Sequence, residues 1–297
     1  TRGVGKIMID LRNVTFIIPL RIDTDDRLRN IVLTTSFLLN TFDCKVIIKE
    51  SDEMSKFNAW AKPLIESISD TTNLRYIFEE NYDEHFHRTR LLNDMVMETT
   101  TDIVVNYDSD IILPITSYTQ AKDMLDSRKY DLVYPYRFGE YGERKVILKT
   151  VVEDENDLNS LLDFPLIKKF ISGFNPEVLD ESYVYAENVN GMGWSEYGMC
   201  QFFNTKAYKD GYLENENFIA YAPEDVERHH RWNMLGYNIG RVDNHAYHME
   251  HKRTQNSWFN NPFMHKNNSL WETLKSFSEE EIHEYYQNQT YYKERIK

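Results

Sequence analysis

Val14-Thr15-Phe16-Ile17-Ile18-Pro19 is a short, β-branched and apolar run stopped by a proline, and its reading decides the fold. A run of this kind is a buried parallel strand that leaves its sheet at the carboxyl end. A loop carrying Arg21 follows, and Asp25 or Asp26 then caps a helix whose apolar residues Leu28, Ile31, Val32, Leu38 and Leu39 keep near-helical spacing. Lys45-Val46-Ile47-Ile48-Lys49 is the next strand. The alternation continues with a helix at 55–69, a strand at 74–78, a helix at 88–98 and a strand at 102–107. Strands alternating with helices predict an α/β chain with a doubly wound, mostly parallel sheet, and such sheets bind ligands beyond the carboxyl ends of their strands.

Past Pro114 the rhythm changes. A helix is expected at 117–127, a strand at 131–134 and an exposed acidic stretch at 153–157; the segment 191–211, rich in glycine and aromatics, reads either as a loop over a pocket or as a surface connection. Further on come a helix at 224–235, a strand at 238–242 and a helix at 278–286. The chain is therefore read as one domain with a first half at 1–115, a second half at 116–260 and a tail at 261–297.

The 297 residues suffice for a substantial core. Two cysteines, Cys44 and Cys200, exclude a disulfide scaffold and show no metal-finger spacing. The first ten residues lack a secretory signal and no stretch is long and apolar enough to span a bilayer, so the expectation is a chain without a transmembrane segment and a cytoplasmic location. With 34 basic and 48 acidic residues the net charge is −14, which repels a nucleic-acid backbone and argues against a nucleic-acid partner. An acidic protein that holds a diphosphate needs a divalent cation and a few well-placed arginines. The 20 tyrosines and 5 tryptophans suit sugar faces, although most such rings serve ordinary packing.

Val104-Val105-Asn106-Tyr107-Asp108-Ser109-Asp110 sets two aspartates one residue apart where an apolar strand runs out. Alternation in an extended chain turns Asp108 and Asp110 the same way, so that both address one hard cation. Asp23-Thr24-Asp25 repeats the spacing but reads as turn and helix cap. Glu224-Asp225 opens a helix after a loop. Acidic residues there favour the helix dipole, or one of them is a general base. In Tyr247-His248-Met249-Glu250-His251 the imidazoles stand three apart, able to complete a cation site or to meet a phosphate, with Lys252 and Arg253 beside them.

The order of these features resembles the beta-1,4-galactosyltransferase family and the related chondroitin-polymerase-type GT-A domains. The resemblance is carried by Ile18-Pro19-Leu20-Arg21, by Phe86-His87-Arg88 opening a helix, by Asp108-Ser109-Asp110, by Glu224-Asp225, and by His248 with His251. It implies a GT-A fold and a metal-dependent, inverting transfer of a hexose or N-acetylhexosamine from a UDP-sugar to a hydroxyl of a glycan or glycoconjugate. It also implies that Pro19, Arg21, Phe86 and Arg88 hold the nucleotide and that Asp110 and His248 bind Mn²⁺ or Mg²⁺. Asp108 would stand between ribose and metal, and His251 would touch metal or diphosphate. Asp225 would be the base, Glu224 a sugar contact, and Gly198 a close backbone approach to the donor. The chain departs from the family where Tyr221-Ala222-Pro223 replaces Trp-Gly-Gly, though Tyr221 can still stack on a sugar. It departs again at Asp23, where a second arginine is usual, so the reaction type carries over and the sugar does not. Two other readings remain, a sugar-phosphate nucleotidyltransferase and a non-catalytic glycan-binding module.

Overall fold

The computed structural model describes residues 8–138, 143–148, 184–188, 196–244, 246–249, 251–257 and 261–297, with residues 143–148 and 184–188 described by their backbone. The acidic stretch expected at 153–157 and the first part of the glycine-rich segment, 191–195, lie outside the described residues. The strands are β1 (Ile9–Leu20), β2 (Phe42–Asp52), β3 (Leu74–Glu80), β4 (Ile103–Tyr107), β5 (Ile111–Ile112), β6 (Leu132–Tyr134), β7 (Glu143–Leu148), β8 (Val184–Asn188), β9 (Cys200–Asn204), β10 (Ile239–Arg241) and β11 (Ala246–Met249). The α-helices are α1 (Asp25–Thr41), α2 (Lys62–Ile68), α3 (Arg88–Glu98), α4 (Ile115–Asp126), α5 (Thr205–Asp210), α6 (Glu224–Met234), α7 (Met264–Leu274), α8 (Glu279–Gln287) and α9 (Thr290–Ile296).

Seven strands form the central sheet in the order β10-β6-β9-β4-β1-β2-β3. β1 pairs in parallel with both β2 and β4, so chain order reverses across β1 and leaves a crevice at the carboxyl ends of β1 and β4. The apolar run that opened the sequence sits in the middle of this sheet, with Phe16, Ile17 and Ile18 each 0% exposed. Burying side chains of that size stabilises the fold by about 1.5–3 kcal/mol each. The segment 191–211, read as a loop or a surface connection, instead carries β9 and α5 in its described part, and β9 departs from the parallel expectation. β9 runs antiparallel to both β4 and β6, so its neighbours present their carboxyl ends where β9 begins, just after Gly198.

Helix α1 is capped by Thr24, whose hydroxyl accepts from the Arg27 amide at 3.3 Å, and Asp25 and Asp26 stand inside its first turn instead of capping it. Residues 30–39 are buried all round, because the helix lies on the sheet and is covered by α2 and the π-helical turn Phe57–Ala61 that precedes it. A smaller sheet, ordered β5-β11-β7-β8, crosses beside the crevice. Its β5 and β11 are antiparallel, with His248 opposite Ile111. That register brings the histidine segment to the aspartates at the end of β4. The C-terminal helix α9 is tied to two parts of the chain: Arg295 reaches Asp94 on α3 at 2.7 Å and Glu216 at 2.8 Å. Among the described residues no helix is long and apolar enough to cross a membrane.

Candidate active site

β4 ends at Tyr107, and Asp108-Ser109-Asp110 forms a turn before β5. Strand alternation therefore lapses at the two aspartates and their side chains separate. Asp108 accepts from Arg88 Nη2 at 2.6 Å. Asp110 is 5% exposed, and its Oδ2 faces His251 Nε2 at 3.0 Å and His248 Nε2 at 3.5 Å. The backbone holds this arrangement. The Met249 amide donates to the Asp110 carbonyl at 2.8 Å, Asn30 Nδ2 on α1 donates to the Met249 carbonyl at 3.1 Å, and Thr34 Oγ1 donates to the Ser109 carbonyl at 2.9 Å.

Asp110, His248 and His251 each offer a ligand atom, all within 4.8 Å of one another. Burial alone would raise the Asp110 pKa, yet the two imidazoles hold it well below the usual carboxylate range. One carboxylate with two imidazoles is a donor set for a divalent transition cation, and Mn²⁺ accepts such mixed oxygen and nitrogen ligands more readily than Mg²⁺, which prefers oxygen throughout. The residues thus fit the expected cation, with His251 in the trio and Asp108 turned to Arg88.

The residues expected to hold the nucleotide lie on neighbouring elements. Pro19 lies in β1 opposite Lys49. Arg21 follows it, with Nε donating to the Ser51 carbonyl at 2.8 Å and Nη1 to the Asp83 carbonyl at 2.9 Å. Its guanidinium lies 5.9 Å from the centre of the Phe86 ring. Arg21 Nη2 is buried without a hydrogen-bond partner among the described residues, a donor suited to an incoming carbonyl or phosphate oxygen. The Phe86 amide donates to Asn256 Oδ1 at 2.8 Å, which ties this pocket to the segment after His251.

Arg88, at the start of α3, stands between two carboxylates distant in sequence. Its Nη1 stands 3.8 Å from Glu224 Oε1 while its Nη2 holds Asp108. Burial disfavours its charge, but Asp108 and Glu224 outweigh that and raise its pKa. Glu224 and Asp225 open α6, with Pro223 before them. Burial and the neighbouring Asp225 push Glu224 up to about 7. Asp225 is also raised, by burial, with Arg228 opposing. The loop leading in is fixed by Asn267 Nδ2, which donates to the Ile219 and Ala222 carbonyls at 2.8 and 3.0 Å, and by Asn261, which donates to the Tyr221 carbonyl at 3.5 Å. Tyr221 thus flanks the acidic pair, one residue before the cis Ala222–Pro223 peptide. Gly198 lies directly against the pair. A Cβ built there would stand 3.1 Å from Asp225 Oδ2.

Three contributors had no motif to announce them. Arg27 places Nη1 3.8 Å from Asp110 Oδ2. Glu214 and Arg228 form a fully buried ion pair at 2.8 Å beneath Asp225, with Asn106 Nδ2 also donating to Glu214 at 3.0 Å. The sequence signal available for the two arginines was spacing: Arg228 stands one helical turn after Glu224, and Arg27 one turn after Asp23.

No protein-family model matches the chain, and no curated protein sequence does. Solved structures do. The chain is similar to S. aureus TarS 1-349 in complex with UDP-GlcNAc, at 12% identity over 91% of this chain and 69% of that one, with a TM-score of 0.54. A second structure of TarS 1-349 matches at 11% identity over 95% and 71%, with a TM-score of 0.51. The mannosyltransferase PcManGT from Pyrobaculum calidifontis, in complex with GDP-Man and Mn²⁺, matches at 13% identity and a TM-score of 0.46; the match takes in 80% of this chain and spans 56% of that one. The seven-stranded, mostly parallel sheet and the TarS likeness together give the fold: it is that of the GT-A glycosyltransferases.

Proposed function

We propose that this chain is an inverting, metal-dependent glycosyltransferase that moves a hexose or N-acetylhexosamine from a UDP-sugar to a hydroxyl of a glycan or glycoconjugate. The observation that carries the reading is the bridge made by Arg88. It links Asp108, two residues from the Asp110 trio, to Glu224, next to Asp225, so that a cation site and a raised-pKa carboxylate pair border one crevice.

In this reading Arg21 and Phe86 receive the nucleotide, and Arg88 meets the donor between Asp108 and Glu224. Asp110, His248 and His251 hold the divalent cation, which when bound offsets charge on the departing diphosphate. Asp225 accepts the acceptor hydroxyl proton as that oxygen attacks the anomeric carbon from the face opposite UDP. The new C–O bond forms as the bond to the UDP oxygen breaks, and the configuration inverts. Glu224, partly protonated near neutral pH, donates a hydrogen bond to a sugar hydroxyl without repelling Asp225. The remaining contribution is positioning of donor and acceptor.

Titration of UDP in the presence of Mn²⁺ tests this assignment. Binding is expected in the native chain and in Asp225→Asn, and is expected to be lost in Asp110→Ala. Equal UDP binding in all three, or binding indifferent to chelator, would refute the cation site.

A further inference from the structure

The first turn of α1 carries a cation that the transfer mechanism above does not use. Arg27 is pinned there: its Nε lies 3.1 Å from Asp23 Oδ1, and Asp23 Oδ2 accepts from Thr254 Oγ1 at 2.6 Å. The same turn grips the segment after His251, because the Lys252 amide donates to Asp26 Oδ2 at 2.9 Å. From this anchored position Arg27 Nη1 reaches 3.8 Å from Asp110 Oδ2, the oxygen that both histidines also face. The side chain is 17% exposed, so water screens its charge only partly.

The charges decide what the site prefers. As cation ligands the two histidines are neutral, which leaves Asp110 as the trio's one negative charge. The guanidinium, which also faces Asp23, offsets part of that charge. With Asp23 counted the group keeps a net negative charge, but a bare dication still meets a fixed positive charge beside the trio. A diphosphate, in contrast, gains from that same charge.

We propose that Arg27 is a resident counter-charge of the Asp110–His248–His251 site, which weakens its hold on a free divalent cation and strengthens its hold on the diphosphate. The assignment rests on the glycosyl-transfer reading of this site. Under it, the site loads its metal together with the nucleotide and resists loading metal alone.

Calorimetric titrations of the full chain with Mn²⁺ alone, and with UDP in the presence of chelator, test it. In Arg27→Gln, Mn²⁺ binding is expected to tighten by about tenfold and metal-free UDP binding to weaken by about tenfold, within the usual range of coupling between neighbouring sites. Changes of opposite sign separate an electrostatic role from a structural one, since a loosened turn would weaken both. Arg27→Lys keeps the charge, and is expected to stay near the native values for both ligands. Unchanged affinities in Arg27→Gln, or losses in both, would overturn the assignment, as would a Lys variant that behaves like the Gln variant. If the native chain binds no UDP even with Mn²⁺ present, the transfer reading falls too; native binding without the opposed shifts in Arg27→Gln overturns only the role of Arg27.

Discussion

Gly198 and Asp225 are in such close approach that a methyl group at position 198 would stand 3.1 Å from the Asp225 carboxylate oxygen. The constraint here is space and not backbone conformation, since only Gly236 has a positive φ among the described glycines. The Gly198 carbonyl is itself held, accepting from Tyr136 Oη at 2.6 Å and Gln201 Nε2 at 2.5 Å, so the segment cannot easily retreat. Gly198→Ala is therefore expected to displace Asp225, the proposed base, lowering kcat by about 10- to 100-fold while UDP binding with Mn²⁺ persists. Steady-state kinetics and a UDP titration on the same sample check the split.

In the proposed mechanism the acidic pair divides its work between two carboxylates. Asp225→Asn keeps the shape and removes the proton acceptor, so turnover is expected to fall by about 10²- to 10⁴-fold with donor binding intact. Glu224→Gln keeps a hydrogen-bond donor, and its loss is expected to be smaller and to appear mainly in KM for a sugar. Comparing kcat and KM for the two variants tests the division.

Stability should carry the signature of Glu224. Its folded pKa of about 7 lies above the ordinary 4.5, so the protonated form is favoured by folding. The stabilisation from that proton is fully present below about pH 4.5 and is lost as pH rises through about 7, by roughly 3 kcal/mol. Thermal melts are expected to show native Tm declining between about pH 5 and 7.5 relative to Glu224→Gln, whose profile should be flatter. Parallel profiles would refute the raised pKa.

Beneath the site, Glu214 and Arg228 are both 0% exposed and lie 2.8 Å apart. Removing one partner strands a buried charge. Glu214→Ala is expected to cost about 3–5 kcal/mol in urea unfolding, whereas Glu214→Leu combined with Arg228→Met should cost less than the single change.

The parts of the fold readable from the chain were those with local periodicity. Val14 to Pro19, the apolar face of α1 and the run Ile103 to Tyr107 each state their element within a few residues, and the structure has β1, α1 and β4 there. β9 was not readable as a strand, because Cys200-Gln201-Phe202-Phe203 is a short run inside a glycine- and aromatic-rich segment that reads as a loop or surface connection, and only its neighbours β4 and β6 set its sense. The same limit governs the site. Asp110, His248 and His251 were legible as types of ligand, but which of Asp108 and Asp110 meets the histidines depends on where β4 stops. Strand alternation predicted a shared direction; the turn after Tyr107 sends Asp108 to Arg88. Arg27 was silent for a related reason: its partner Asp110 is distant in sequence, and only the folded crevice brings them together.

The most direct test of the account is UDP release from a panel of UDP-sugars, with a panel of glycan acceptors, in Mn²⁺ and in chelator. The account predicts release from at least one donor that requires Mn²⁺ and an acceptor and that nearly vanishes in Asp225→Asn. Release that continues undiminished in chelator, or that Asp225→Asn leaves unchanged, would contradict it.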